Sequence, residues 1–240
     1  MNKILKIICL LFLSLTFFSC SEEETESLEV KSELSAKDIA KYHNIAVGLY
    51  ENSKSGNKEK KLSIIEIQQS VTNLMIKNYP DLMKDFTIPQ QSNFLNSNYV
   101  VRSSYDTDFD FNSFLTDGLS TLVSENEISN IFSTEIMNLT TSEVSFSEKL
   151  EQIEILRNLT TDTNEDNFLD VYESTLSASN EYWNGSNYRT MSDPLNCGSQ
   201  VVAADAVGAA LGLWGSPIWS IIQGAVVSIA VSEDCEDEEE

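Results

Sequence analysis

The segment from Val201 to Ser232 constrains this chain more than any other: it holds one charged residue, Asp205, in a protein of net charge −23. Small residues recur in it at intervals of four, as Ala204, Gly208 and Gly212 and then as Ser220, Gly224 and Ser228. At that spacing they lie along one stripe of a helix, and a stripe without bulk lets two helices approach closely. Gly215-Ser216-Pro217 interrupts the run, and Pro217 suits the first turn of a new helix. The pattern predicts a hairpin of two helices of about 14 to 16 residues, each about 21 to 24 Å long. Neither spans a hydrocarbon core of about 30 Å alone. An uncharged hairpin of this kind must be covered, either by amphipathic helices of the same chain or by a membrane or partner.

The rest of the chain offers such helices. Its only prolines are Pro80, Pro89, Pro194 and Pro217, and apolar residues recur at three and four rather than at two. Ser35 caps a predicted helix running to about Glu51, with Ile39, Tyr42, His43, Ala46, Leu49 and Tyr50 on one face. Ile64, Ile67, Val71, Leu74 and Met75 mark a second, stopped by Pro80. A short helix is expected over Asp81 to Phe86, whereas Thr87 to Ser104 shows no period. Phe111, Phe114, Leu115, Leu119 and Leu122 mark the next helix. Ser124 with Glu127 forms a capping-box pattern for another through Ile128, Ile131, Phe132, Ile136 and Leu139. Further helices are predicted from Ser147 to Leu159, on Leu150, Ile153, Ile155 and Leu156, and from Phe168 to Trp183. The fold class is all-α: an irregular multi-helix bundle with a C-terminal small-residue-rich helical hairpin.

Charge and missing motifs narrow the function. With 15 basic against 38 acidic residues, the surface repels phosphate, so nucleic acid is excluded as a partner. No GxxxxGK, GxSxG, HExxH or CxxC pattern occurs. His43 is the only histidine, so a multi-histidine zinc site is out of reach, and its place on an apolar face reads as a core residue. No catalytic residues are assigned and the chain is not read as an enzyme. A hydrolase built on two carboxylates ranks last among the functional classes, because any pair among 38 acids matches by chance.

The N-terminus carries an address. Lys3 and Lys6 precede an apolar run from Ile4 to Phe18, and Phe18-Ser19-Cys20 closes it. Leu15-Thr16-Phe17-Phe18-Ser19-Cys20 resembles the lipobox of bacterial lipoproteins. Ser21-Glu22-Glu23-Glu24 is similar to the acidic export tag of Bacteroidetes surface lipoproteins. The resemblance implies cleavage before Cys20, lipid on its thiol, and a domain held at the cell envelope, on the outer membrane and facing outward. Residues 20–35, with six Glu from Ser21 to Ser35, form an acidic tether. With Cys9 removed and Cys20 lipidated, Cys197 and Cys235 are left at the two ends of the hairpin, where an antiparallel arrangement brings them together. A disulfide between them is expected in an oxidising compartment.

Asp162-Thr163-Asn164-Glu165-Asp166-Asn167-Phe168-Leu169-Asp170-Val171-Tyr172-Glu173 resembles the calcium loop of the EF-hand family. The resemblance implies Ca2+ held by the side chains of Asp162, Asn164, Asp166, Asp170 and Glu173 and by the Phe168 carbonyl. Asn167 departs from the family's glycine.

The expected organisation is therefore a signal peptide over residues 1–19, the tether over 20–35, a helical domain over 36–196, a disulfide-clasped hairpin over 197–235 packed on that domain, and an acidic tail over 236–240. The favoured function is a lipid-anchored binding protein with a protein or small-molecule ligand. The alternative is a membrane-active protein acting through 201–232, since small-residue hairpins of this kind resemble those of pore-forming peptides and bacteriocins.

Overall fold

Ser35 and Asp38 start the first helix by exchanging hydrogen bonds. The Asp38 amide donates to the Ser35 hydroxyl at 3.2 Å and the Ser35 amide to the Asp38 carboxylate at 3.1 Å. That exchange satisfies amides which helix geometry leaves unpaired. The computed structural model describes residues 34–54, 62–87, 109–185 and 197–237. Among the described residues the fold is all-α, with helices α1 (Ala36–Lys54), α2 (Ile64–Asn78), α3 (Phe111–Ser124), α4 (Asn130–Thr141), α5 (Phe146–Leu159), α6 (Thr163–Gly185), α7 (Cys197–Gly212) and α8 (Pro217–Asp237). Complete capping boxes recur at Ser63 with Glu66 and at Ser145 with Glu148. The signal peptide, most of the tether and the last residues of the tail lie outside the described residues.

Three boundaries differ from the sequence reading. Ser124 ends α3 instead of capping α4, because Asn126 turns the chain with a φ of 59°. The Asn126 amide donates to the Val123 carbonyl and the Glu127 amide to the Leu122 carbonyl, a Schellman closure with asparagine in the left-handed position. Ser129 then caps α4, accepting from the Phe132 amide. Asp81 to Asp85 form turns and not a helix. The sixth helix begins at Thr163, five residues before the predicted start.

The hairpin is the middle of the bundle. Every residue from Val201 to Gly212 and from Trp219 to Val231 is buried. Helix α7 packs against α8, α6, α4, α3 and α1, and α8 against α1 and α2, so the amphipathic helices cover the uncharged pair. Trp219 stacks on Phe86 at 6.3 Å, and Trp214 lies 5.9 Å from the Phe168 ring, so both tryptophans of the hairpin turn face their own fold. No helix among the described residues is long and apolar enough to cross a membrane.

Glycine sets the spacing of the pair. A Cβ on Gly212 would stand 2.7 Å from the Ser220 Cα, and one on Gly208 would stand 3.2 Å from the Gly224 Cα. At this closest level the Ser220 hydroxyl donates to the Ala209 carbonyl. Gly212→Ala should therefore destabilise the domain by about 1 to 3 kcal/mol, the usual cost of forcing extra bulk into a packed core. Gly48→Ala is the control: its added Cβ meets nothing nearer than the Tyr182 hydroxyl at 3.4 Å, so helix propensity should leave it neutral or up to about 1 kcal/mol more stable. Urea denaturation of both variants checks the contrast.

Candidate functional site

Helices α4 and α5 form an antiparallel pair at the edge of the bundle, where α5 packs only against α4 and α6 among its main neighbours. The loop end is closed by Lys149. Its side chain is buried and its Nζ donates to the carbonyls of Leu139 at 2.7 Å and Ser142 at 2.9 Å, which caps the end of α4 with a positive charge. Burial pushes the Lys149 pKa down to about 8. The opposite end is closed by Glu165 of α6, also buried, which accepts from the Ser129 amide at 2.8 Å and from the Thr160 hydroxyl.

Between those two clasps runs a groove of about 400 Å3, within the range of ligand-binding clefts. Phe132, Leu139 and Leu156 form its buried floor. Its walls are the exposed side chains of Ile131, Ile155 and Leu159, whose exposures are 76, 58 and 74%. Of the four large apolar side chains exposed among the described residues, three stand here. Glu135, Asn138, Gln152 and Glu165 supply the polar lining, and no lysine or arginine lines the groove. Sequence periodicity places Ile131 and Ile155 on core faces. The structure turns both outward, because Phe132 and Ile153 with Leu156 already fill the inner faces of their helices. The missed signal is that runs such as Ile131-Phe132 and Ile155-Leu156 make the apolar stripe wider than one contact face.

The calcium-loop expectation is corrected. A calcium loop must fold its donors around one ion within about 2.6 Å of each, but from Thr163 onward this segment is helix. Eleven residues at 1.5 Å separate Asp162 from Glu173 by about 16 Å along the axis. Asp162 instead caps α6, accepting from the Asn164 amide at 2.7 Å, and Asn164 donates through its side chain to Glu127 at 2.9 Å. Phe168 is buried against Phe132 and Tyr172. Asp166, Asp170 and Glu173 share one face of α6 and converge on Arg157 of α5, at 2.7, 2.7 and 2.9 Å. Among the described residues no group of three or more His, Cys, Asp or Glu is arranged to hold a metal. Sequence reasoning missed Arg157, whose partners are recognisable only once 166, 170 and 173 are read as a helix face.

His43 is buried, as its place on α1 predicts. Asn44 donates its Nδ2 to the Ala178 carbonyl at 2.9 Å, which leaves its Oδ1 to accept from His43 Nδ1 at 3.0 Å. The other ring nitrogen, Nε2, faces Asp205 Oδ1 at 3.7 Å, and Trp183 donates to Asp205 Oδ2 at 3.1 Å. Asp205, the one charged residue between Val201 and Ser232, is thus held by a hydrogen bond from α6, while His43 Nε2 of α1 and Asp205 Oδ1 face each other in the interior with no hydrogen bond between them. Cys20 lies outside the described residues. Cys197 and Cys235 fall in the first turn of α7 and the last turn of α8, and their side chains also lie outside the described residues.

Lys149 makes the site's pH behaviour testable. Its folded pKa, about 8, lies below the ordinary 10.5. Between those values the unfolded chain keeps a proton that the folded chain has released, so stability from this group rises with pH across the window and is constant below it. The full gain is about 3 kcal/mol at about 1.4 kcal/mol per pH unit. Urea denaturation at pH 7.5 and pH 10 should show wild type gaining on Lys149→Met by about 2 to 2.5 kcal/mol, the part of that gain falling between the two pH values; a gap that does not change with pH would contradict the assignment. No protein-family model, curated protein or solved structure matches this chain.

Proposed function

We propose that this chain is a lipid-anchored exported binding protein, held at the outer membrane through Cys20 and engaging a protein partner through the groove between α4 and α5. The observation that carries the binding role is the exposure of Ile131, Ile155 and Leu159 around one cleft, since apolar side chains of this size stay in water only at a cost unless something covers them. The lipobox-like end of the apolar N-terminal run supports the anchor, and the acidic stretch after it supports outward display. The burial of α7 and α8 speaks against the membrane-active alternative, because the hairpin's apolar surface is already spent within the fold.

A disulfide between Cys197 and Cys235 belongs to the same reading. Gly208 sits level with Gly224, and Gly212 with Ser220, so each step back along α7 matches a step forward along α8. Eleven residues out from the Gly208 level, position 197 falls level with position 235. Such a bridge would stabilise the domain by about 3 to 4 kcal/mol in the chain-entropy model.

Three experiments test these statements. Detergent-phase partitioning of the full chain should place it with membrane proteins, and Cys20→Ser should move it to the aqueous phase; maleimide labelling of the denatured protein should find thiols at 197 and 235 only after reduction. For the groove, a photoreactive residue at 131, 155 or 159 in intact cells should yield one discrete adduct, identified by mass spectrometry, that is missing when the probe sits at Lys84, an exposed position that does not line the groove. Equal adducts at all four positions, or none at any, would remove the groove from the proposal.

A further inference from the structure

We infer that the occupant of the groove is an amphipathic helix of a partner protein bearing lysine or arginine beside its apolar stripe; this rests on reading the groove as the binding face. Length is the first argument. Along α4 the groove runs from Ser129 to Leu139, about 15 Å at 1.5 Å per residue, which matches about ten residues of a partner helix with anchors at i, i+3 or i+4, and i+7. Shape is the second, since Ile131 and Leu159 stand about three-quarters exposed on opposite walls. An open strip of that kind suits a cylinder laid along it, whereas a small molecule needs enclosure on most sides.

Charge is the third argument and selects among helices. Glu135 lies exposed along the groove, and Glu165 closes its Ser129 end. Of the two bases on α5, neither of which lines the groove, Lys149 is buried on the Leu139 and Ser142 carbonyls and Arg157 is committed to Asp166, Asp170 and Glu173. A second copy of the chain would bring another net charge of −23, and an anionic lipid surface is repelled in the same way. A cationic flank is the complement.

The test uses the full chain in zwitterionic nanodiscs at 150 mM salt, with empty nanodiscs as the blank and three fluorescein-labelled 12-residue peptides as probes. One is a Leu/Lys amphipathic helix, one the same helix with Glu in place of Lys, and one a scrambled Leu/Lys sequence of the same composition. The amphipathic Leu/Lys peptide should bind at least tenfold tighter than either of the others. Ile155→Glu with Leu159→Glu should weaken it at least tenfold while leaving the urea midpoint unchanged, although the two added negative charges would strengthen any unspecific attraction. Glu135→Lys should weaken it severalfold. Equal binding of the scrambled peptide, preference for the Glu peptide, or undiminished binding by the double variant would overturn the inference. So would dimerisation in sedimentation that the double variant abolishes, which would assign the groove to a second copy, or a photo-adduct within the chain itself. If no peptide binds while adducts to another protein persist at 131, 155 and 159, the occupant is wrong and the groove reading stands. If both are lost, both fall.

Discussion

The contact between α7 and α8 is the constraint on which the bundle depends. Two helices that meet at glycine are close enough for backbone to touch backbone, as the 2.7 Å from a Gly212 Cβ position to the Ser220 Cα shows. A pair that thin and that free of charge can be enclosed on all sides by single helices, and α1, α2, α3, α4 and α6 do so. Enclosure then sets a demand. The one carboxylate between Val201 and Ser232, Asp205, enters the interior with it, and a buried charge needs partners. Trp183 answers from α6 with a hydrogen bond, His43 of α1 approaches the second oxygen to 3.7 Å, and Gly224 leaves room for the ring: a Cβ there would stand 2.8 Å from the imidazole Cδ2. The chain's only histidine is thereby buried against the hairpin.

Much of this was legible in the residues. The stripe of Gly208, Gly212 and Gly224 specifies a close helix pair, the apolar faces of α1 to α6 follow from spacing, and Ser35, Ser63 and Ser145 announce helix starts. What sequence could not settle was decided by tertiary partners. Residues 162–173 match a calcium loop by residue type, yet the apolar period through Leu169, Tyr172 and Leu176 continues back to Glu165, and burial of that face fixes a helix. Asp166, Asp170 and Glu173 are then i, i+4 and i+7 on its outer side, waiting for a cation from a different helix. Arg157 is nine to sixteen residues away in sequence from the three, and nothing local names it. Likewise Ser124 and Glu127 satisfy a capping pattern that loses to the left-handed turn at Asn126.

The groove was the least legible feature, and for a physical reason. Apolar residues on a helix say that something will cover them without saying what. On α1, α6 and α7 the cover is intramolecular, since the hairpin is surrounded. On α5 only Ile153 and Leu156 are turned fully into the fold, with Lys149 beside them. The remaining attachment is polar: Lys149 caps α4, and Arg157 grips the outer face of α6. Those charged clasps do the positioning that apolar burial performs elsewhere in the bundle.

That division of labour explains why Ile155 and Leu159 can stay outside. A helix docked by apolar contacts alone would gain by rolling its most exposed isoleucine or leucine inward. Lys149 resists such a roll, because turning α5 would withdraw its buried ammonium from the Leu139 and Ser142 carbonyls and leave the charge without acceptors, at a cost of at least about 1 to 3 kcal/mol. Arg157, half a turn from Ile155, resists it from the other side through three carboxylates, each mostly screened by water and worth little alone. Together they hold the apolar wall of the groove in water, in a fixed geometry, ahead of any partner. A surface held open in that way is already shaped for binding, and the entropy that a loose segment would lose on association has been lost during folding.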